Sequence, residues 1–115
     1  MKILYVENSL FFAAYACQEL LAAHVVQVVP TVAEARHALR ANDYDLVIVD
    51  YDLDDGKGDE FVSACRLLRP NLKIIAGSSH EAGNKALVKA GACAVCAKKE
   101  FDSIQSVIDN LGPGA

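Results

Sequence analysis

The sequence has little positive charge, no tryptophan and no long apolar run. Its 15 Asp and Glu residues outnumber 11 Lys and Arg, giving a net charge of −4, and the only adjacent basic pair is Lys98-Lys99. Because no basic stripe exists to neutralise phosphates, we do not expect this domain to bind nucleic acid directly. No apolar segment approaches the roughly 20 residues that a membrane-spanning helix needs, so no membrane association is expected.

The amino terminus carries no sustained secretion signal. Glu7 and Asn8 interrupt the first apolar segment, and Gln18-Glu19 follow the second. We therefore expect a cytoplasmic protein. The 115 residues are 53% apolar and 23% charged, which is an ordinary globular composition and long enough for one domain with a single core.

Four cysteines raise the question of metal binding or redox chemistry, since Cys93-Ala-Val-Cys96 matches Cys-x-x-Cys. Zinc needs about four ligands, and no second cysteine pair or histidine cluster follows. The motif lies in a predicted strand, where an odd separation sends the two side chains to opposite faces. We therefore interpret these two cysteines, and Cys17 and Cys65 on apolar helix faces, as small buried hydrophobic residues.

The pattern along the chain alternates strand and helix five times. Apolar runs predict strands at residues 3–6, 24–29, 46–49, 72–76 and 92–97. Helical spacing predicts helices at about 10–22, 32–41, 61–68, 81–90 and 101–111. Ser9 and the capping box Thr31-Val-Ala-Glu34 open the first two helices, Gly83 weakens the fourth, and Gly91 closes it.

Five strand–helix units with short connections predict an α/β fold, a three-layer (βα)5 arrangement with a doubly wound parallel sheet covered on both faces. The pattern does not predict the order of the strands. One domain is expected over residues 1–112. Residues 113–115, in Gly112-Pro-Gly-Ala, are either a tail or the start of a linker.

The first helix has more large apolar residues than one core face requires. Its predicted inward face consists of Leu10, Ala14, Cys17 and Leu21. Phe11, Phe12 and Tyr15 are in excess of that face. They either cover neighbouring surface, which we favour, or form a docking patch.

Polar side chains follow four of the five predicted strands. Strand one ends in Glu7-Asn8, strand three in Asp50, strand four in Ser78 and strand five in Lys98. Because the carboxyl ends of parallel strands lie along one edge of a sheet, where open α/β sheets bind ligands, we expect these residues to converge.

The residue types at that edge are those needed to hold a phosphoryl group on Asp50. Carboxylates offer oxygen ligands to Mg²⁺, which it shares with phosphate. A carboxylate can also act as the nucleophile toward phosphorus. Lys98 and Ser78 can bind the phosphoryl oxygens and balance their charge.

Over residues 2–111 the chain resembles the receiver domains of two-component response regulators, because these motifs recur in the family's order and spacing. The resemblance implies a flavodoxin-like fold, with Asp50 as phosphoacceptor at the end of Asp45-Leu-Val-Ile-Val-Asp50. It gives Ser78 the Ser/Thr position and Lys98 the lysine position. Glu7 takes the first acidic-pair position, and Asp52 stands where a backbone carbonyl usually ligates Mg²⁺.

The resemblance also implies an activity and partners. A histidine kinase or histidine phosphotransfer protein would donate a phosphoryl group to Asp50 with Mg²⁺, bound through Glu7, Asn8, Asp50 and the Asp52 carbonyl or side chain. A conformational switch and slow self-hydrolysis would follow, acting on an output domain or a downstream protein. The domain would be a switch rather than an enzyme.

Several residues depart from the family pattern. Asn8 replaces the second acidic residue, so we expect weakened Mg²⁺ binding, partly offset by Asp52. Val95 stands in place of the usual aromatic residue on strand five, so the aromatic half of the switch is missing. Lys99 replaces the proline after the lysine, where a cis bond is typical, so that loop is expected to be built differently. Asp54 takes the place of another common proline.

Two alternatives stay open at the sequence level. A pseudo-receiver would act as a protein-interaction module without phosphorylation, and Asn8 and Val95 are its best support. A phosphatase of the haloacid-dehalogenase type would use Asp50 and Asp52 as an Asp-x-Asp pair. That family usually places the motif on its first strand and needs a longer chain, so we consider it the weaker alternative.

Overall fold

The predicted apolar runs form one parallel sheet of five strands. The structure, a computed structural model, describes residues 1–112, so the predicted tail at 113–115 lies outside the described residues. The strands of the sheet are β1 (Lys2–Val6), β2 (Val25–Val29), β3 (Leu46–Val49), β4 (Lys73–Ala76) and β5 (Ala94–Val95). A separate short hairpin pairs Asp52–Leu53 with Gly56–Lys57.

Helices connect the successive strands. They are α1 (Leu10–Tyr15, continued by a π-helical turn, Ala16–Leu20), α2 (Val32–Ala41), α3 (Gly58–Leu68), α4 (Glu81–Ala90) and α5 (Ile104–Asp109), the last preceded by a 3₁₀ turn, Lys98–Ser103. The predicted caps form, since Ser9 accepts from the Phe12 N–H and Thr31 from the Glu34 N–H. Within residues 1–112 no helix is both long and apolar enough to cross a bilayer.

The strand order is β2-β1-β3-β4-β5, and all pairs are parallel. The ladder continues past the strand ends, because the Asp50 N–H donates to the Val6 carbonyl and the Gly77 N–H to the Val49 carbonyl, both at 2.9 Å. The carboxyl ends of β1, β3 and β4 therefore lie level at one edge. This arrangement confirms the predicted (βα)5 flavodoxin-like fold.

The sheet divides the interior into two apolar cores. Alternate residues of the central strands, such as Ile74 and Ile75, point to opposite faces, as the two-residue period of a strand requires. On one face lie α2, α3 and α4, with Phe61 at the centre, and on the other lie α1 and the α5 region, with Phe101. Both cores are shielded from solvent, which is why the strands read as continuous apolar runs.

The predicted inward face of α1 is correct in part. Leu21 is buried and Cys17 is partly buried, whereas Leu10 is 68% exposed and Ala14 is also exposed, and Ala13 and Ala16 are buried instead. The Leu21 N–H bonds to the carbonyl of Ala16, five residues earlier, so the helix widens at its end and its faces rotate relative to a regular 3.6-residue pattern.

The fifth strand is shorter than predicted. The strand proper consists of Ala94 and Val95 at the edge of the sheet, and the flanking Cys93 and Cys96 N–H groups still donate to the Ile74 and Ala76 carbonyls of β4, both at 2.8 Å. Cys93 is exposed and Cys96 buried, so the opposite-face prediction is confirmed, but the interpretation of Cys93 as a buried residue is wrong. All four cysteines are free thiols.

Candidate functional site

Asp50 directly follows β3, at the edge where the carboxyl ends of β1, β3 and β4 lie level. The four strand residues before it are fully buried, and Asp50 itself is only 5% exposed. Its Oδ1 accepts a hydrogen bond from the Tyr51 N–H at 2.8 Å, which fixes the carboxylate orientation. The buried strand thus holds one carboxylate at the rim, with its second oxygen directed into the site.

Lys98 bridges Asp50 and Glu7. Its Nζ lies 2.8 Å from Glu7 Oε1 and 3.3 Å from Asp50 Oδ2. Burial alone would lower the pKa of Lys98, but the hydrogen bonds and charges of Glu7 and Asp50 outweigh burial and raise it. The ammonium group therefore stays charged and holds the two carboxylates near one point.

Glu7 is entirely buried, and both its carboxylate oxygens are engaged. Oε1 pairs with Lys98, and Oε2 accepts from the Ser9 N–H at 2.9 Å. Burial raises the pKa of the Glu7 carboxyl, and the Lys98 and Ser9 hydrogen bonds oppose that effect. A buried carboxylate without such partners is costly, so the Lys98 contact is central to keeping Glu7 at the site.

The Phe12 ring packs against the Lys98 ammonium group, a contact that the sequence analysis did not predict. The Lys98 Nζ lies 5.1 Å from the centre of the Phe12 ring, within range of a cation–π interaction. The Phe12 ring in turn meets Phe101 edge-on, and Phe101 stacks on Tyr5. The available signal was the surplus of aromatic residues on α1.

Ser78 lies beside the site on the loop after β4. It is 1% exposed, and its hydroxyl accepts from the His80 N–H at 3.2 Å. Its backbone carbonyl also accepts from the Lys98 N–H at 3.3 Å, which links the loops after β4 and β5. The structure therefore brings together four of the predicted residues, Glu7, Asp50, Ser78 and Lys98.

The Asn84 side chain on α4 makes two hydrogen bonds to the backbone of Ser78. The Ser78 N–H donates to Asn84 Oδ1 at 2.8 Å, and Asn84 Nδ2 donates to the Ser78 carbonyl at 3.0 Å. Asn84 is only 5% exposed. A polar residue inside a predicted helix gave no sequence signal for this contact.

Gly83 allows α4 to approach the site closely. A Cβ at this position would lie 2.8 Å from Tyr51 Cβ and 2.9 Å from Ser78 Oγ. Gly83, which weakens the helical pattern in the sequence, is thus required by packing against the residues on either side of the site.

Asn8 and Asp52 lie at the rim and make other contacts. Asn8 Nδ2 donates to Asp54 Oδ1 at 3.3 Å. Asp52 forms an ion pair with Lys57 across the hairpin, and the hydrogen bond from Lys57 holds the pKa of Asp52 below its usual range. The structure therefore directs the Asp52 side chain to Lys57.

The loop carrying Asp52 is held at both ends. A Cβ on Gly58 would lie only 2.0 Å from the Asp50 carbonyl oxygen, so only glycine fits there. Asp55 accepts hydrogen bonds from the Val32 and Ala33 N–H groups at 2.7 and 3.0 Å and thereby caps α2. These contacts fix the chain that follows Asp50.

Two carboxylates of the site are available as oxygen ligands for Mg²⁺. Within residues 1–112 no three Asp, Glu, His or Cys side chains converge as metal ligands would. Glu7 and Asp50 nevertheless converge on Lys98, and Asn8 lies at the rim with its Nδ2 directed to Asp54. Mg²⁺ in phosphate-binding sites is typically held by one or two carboxylates, waters and phosphate oxygens, which this set can supply.

A groove of about 480 Å³ lies between α4 and β5. We call it the α4 groove; its lining includes Ser79, Asn84, Lys85, Val88, Val95 and Lys99. Val95 is 43% exposed there. In the described chain no peptide bond is cis, so the Lys98–Lys99 bond is trans, in agreement with the expectation that this loop is built differently.

The aromatic residues of α1 divide between core and surface. Phe12 packs into the core with Phe101, so it covers neighbouring surface as predicted. Phe11 is 90% exposed, and Tyr15 and Leu10 are also exposed. For Phe11 the covering interpretation is wrong, whereas Tyr15 packs one side of its ring against Phe12, with the ring centres 6.1 Å apart. The docking patch stays a prediction.

Comparison with known proteins connects this geometry to one family. The family model described as response regulator receiver domain matches residues 3–109. Among curated proteins no sequence matches the chain at a significant level.

Solved structures of similar proteins share the fold. The response regulator TrrA of Thermotoga maritima, determined in complex with Mg²⁺-BeF, has a TM-score of 0.87 at 22% identity, covering 96% of this chain and 98% of that one. A putative response regulator from Chloroflexus aurantiacus has a TM-score of 0.86 at 22% identity, covering 96% and 95%. A CheY-like receiver domain from Methanospirillum hungatei has a TM-score of 0.83 at 23% identity, covering 96% and 92%.

Proposed function

The chain belongs to the response regulator receiver domain family, whose members act in two-component signalling as switches rather than enzymes, and we propose that it accepts a phosphoryl group on Asp50. The observation that carries this proposal is the position of Lys98, whose ammonium lies between the Asp50 and Glu7 carboxylates. A lysine fixed at a buried nucleophile provides the charge that an incoming phosphoryl group needs.

The transfer step needs a donor with a good leaving group. An Asp50 carboxylate oxygen attacks phosphorus, a new oxygen–phosphorus bond forms, and the bond from phosphorus to the donor breaks. With acetyl phosphate the leaving group is acetate, and with a phosphohistidine it is the imidazole, which takes up a proton. Lys98 exchanges its contact with the Asp50 carboxylate for one with a phosphoryl oxygen, and the Ser78 hydroxyl donates to another.

Glu7, the Asn8 amide oxygen, Asp50 and the backbone carbonyl of Asp52 are the groups we propose for holding Mg²⁺. When bound, the ion offsets negative charge on the phosphoryl oxygens. Because Asn8 contributes no charge and Glu7 is already paired with Lys98, we propose weaker binding than three acidic ligands would give. Slow hydrolysis of the acyl phosphate by water would return the switch to its resting state.

We propose that the phosphodonor is a histidine kinase or histidine phosphotransfer protein that docks on the exposed face of α1. Phe12 of this helix contacts Lys98, and the adjacent Phe11 is 90% exposed, so the helix that reaches the site also presents an apolar side chain to solvent. Phe11→Ser is expected to slow transfer from the donor protein more than loading from acetyl phosphate. Equal effects on both would contradict this surface. Four free cysteines suit a reducing compartment, which supports a cytoplasmic location.

The test of the proposed function is intact mass spectrometry after incubation with Mg²⁺ and acetyl phosphate. We expect one added phosphoryl group on the wild-type chain. Asp50→Asn serves as the control, because it preserves shape and removes the nucleophile. An adduct that persists in Asp50→Asn, or no adduct with either acetyl phosphate or a phosphohistidine donor, would refute Asp50 as the acceptor.

A pseudo-receiver that works by protein contact alone is the second candidate. The Asn8 amide is turned toward Asp54, and both Glu7 oxygens have protein partners, so the resting site is satisfied without an ion. No adduct together with no Mg²⁺ binding by calorimetric titration would favour this candidate. We do not propose the phosphatase alternative, because the receiver-family match spans nearly the whole chain.

A further inference from the structure

We propose that Asn84 transmits the phosphorylation state of Asp50 to the α4 groove. Position 95, where the family usually has an aromatic switch residue, is Val95 in this chain, so another side chain must carry the signal. The inference rests on the proposed function, since it concerns how a phosphoryl group on Asp50 would be sensed. It begins with the contact between Asn84 and Ser78. Asn84 is a positioning residue in this proposal, because it touches the Ser78 backbone rather than the reacting atoms.

The Asn84–Ser78 contact is a two-point attachment in a buried setting. Both polar ends of the Asn84 amide are used, one accepting from the Ser78 N–H and one donating to the Ser78 carbonyl. Both residues are almost fully shielded from water. If Ser78 moved while Asn84 stayed, buried donors and acceptors would lose their partners, which is costly. Asn84 is therefore expected to follow Ser78.

Ser78 has a reason to move when Asp50 is phosphorylated. Its hydroxyl accepts from the His80 N–H at 3.2 Å and keeps its own proton to donate, so a shift of the hydroxyl toward a phosphoryl oxygen would stretch the bond from His80. Its backbone is held by Asn84 and by the Lys98 N–H. A movement of this loop thus pulls on α4 through a hydrogen-bonded side chain.

At Gly83 the backbone of α4 is tightly packed against the residues around the site. Gly83 places the α4 backbone directly against Tyr51 and Ser78, where even one added carbon would clash. Packed contacts of this kind transfer small displacements to the neighbouring element. A displacement of Ser78 is therefore expected to displace α4 through two contacts, the Asn84 amide and the Gly83 backbone.

Asn84 also lines the α4 groove, together with Lys85 and Val88 of the same helix. The groove faces Val95, a small side chain that cannot report on Ser78 by swinging in or out as a large ring would. The connection from Asp50 to the surface therefore runs through Ser78, Asn84 and α4. The expected output is a change in the shape of the α4 groove.

The test compares backbone amide chemical shifts before and after adding Mg²⁺ and beryllofluoride, which mimics a phosphoryl group on a carboxylate. In the wild type we expect shifts at Tyr51 and Ser78 and also at Lys85 and Val88. In Asn84→Ala we expect the shifts at Lys85 and Val88 to fall by about threefold or more, while those at Tyr51 persist. Asn71→Ala, the same change at an exposed loop position, is the matched control and should behave as wild type.

A second variant guards against a folding defect. Asn84→Asp retains an acceptor for the Ser78 N–H but replaces the donor by a carboxylate oxygen that faces the Ser78 carbonyl, so we expect a loss of the α4 shifts at least as large as in Asn84→Ala. Undiminished shifts at Lys85 and Val88 in both folded variants would overturn the role of Asn84 and leave phosphorylation of Asp50 intact. If wild-type Tyr51 and Ser78 do not respond and no mass adduct forms, the proposed function fails as well, which distinguishes the two failures.

Discussion

Lys98 holds the two buried carboxylates of the site through one ammonium group, and its contacts decide what the site can bind. Its Nζ is closer to Glu7 than to Asp50, by 2.8 against 3.3 Å. A ligand that engages Glu7 must share or displace that ion pair. At the residue scale, we therefore expect the proposed affinity for Mg²⁺ to depend on how much negative charge the Lys98 ion pairs leave for the ion.

Asn8→Asp is expected to tighten Mg²⁺ binding. The substitution adds a charged oxygen ligand at the rim, and we expect a gain on the order of tenfold in affinity, since unit charges a few ångströms apart near a surface interact strongly. Calorimetric titration with Mg²⁺ measures the change.

The matched control for that substitution is Asn8→Asp combined with Asp54→Asn. This double variant keeps the net charge and reverses the amide–carboxylate pair that the two residues form. Tightened binding in the double variant would assign the effect to position 8 rather than to overall charge. Unchanged binding in both variants would contradict the tuning role of Asn8.

At the scale of elements, the loop from β3 to α3 is fixed by one tight approach and one helix cap. The Gly58 backbone packs against the Asp50 carbonyl, and the Gly58 N–H donates to the Tyr51 backbone carbonyl at 2.6 Å. Asp55 caps α2 through the Val32 and Ala33 N–H groups. The loop therefore connects the site to α2 as well as to α3.

Gly58→Ala is expected to destabilise the fold by about 1–3 kcal/mol, because the added carbon would overlap the Asp50 carbonyl oxygen. Urea unfolding measures this change. Gly56→Ala is the control, since its added carbon would meet the flexible end of Glu60 at 3.4 Å and Val32 Cγ2 at 3.7 Å, which are ordinary contacts, and it should be nearly neutral. Similar losses in both variants would show that the close approach at Gly58 is not the cause.

The Asp55 cap predicts a pH dependence of stability. The Val32 and Ala33 N–H groups lower the pKa of Asp55 in the folded chain. Its stabilisation is therefore present above the unfolded pKa, near 4, and is lost as the pH falls through the lower folded value. Asp55→Asn should reduce the urea midpoint at neutral pH, and the difference from wild type should shrink in acid.

The control for this pH dependence is Asp102→Asn. Asp102 is exposed, and within residues 1–112 its carboxylate accepts no hydrogen bond, so the midpoint should match wild type throughout the range. A deficit in Asp55→Asn that is equally large in acid would mean that the charge of Asp55 does not contribute through the cap.

At the scale of the whole molecule, the same strands of one sheet supply side chains to both hydrophobic cores. Ile74 and Ile75 are adjacent, fully buried and directed into opposite cores. Because every central strand contributes to both cores, neither can unfold while the other keeps its packing. We therefore expect one cooperative transition.

Ile74→Val and Ile75→Val form a matched pair for this expectation. Each removes one methylene group from a different core and should lower the free energy of unfolding by about 0.5–1.5 kcal/mol. Far-ultraviolet circular dichroism follows the secondary structure, and the near-ultraviolet signal follows the four tyrosines, of which Tyr5 and Tyr44 are buried in opposite cores. Separate transitions in either variant would contradict the single cooperative unit.

The strand–helix alternation and the main site residues were predictable from the sequence. Buried parallel strands require unbroken apolar runs, and their ends must be polar, so Glu7, Asp50, Ser78 and Lys98 stood out by position alone. The helix caps were also readable, because Ser9 and Thr31 act within three residues of themselves. Such local signals need no knowledge of distant partners.

The tertiary structure decided what depends on distant contacts. Asn84 meets Ser78 only because α4 packs onto that loop, and Phe12 contacts Lys98 only because α1 and the turn before α5 pack on the same face of the sheet. The rotated face of α1 and the two-residue β5 follow from packing that overrides local periodicity. The sequence by itself determined the sheet and the residues at its edge, whereas the hydrogen-bonded links from those residues to the helices arise only when the helices pack.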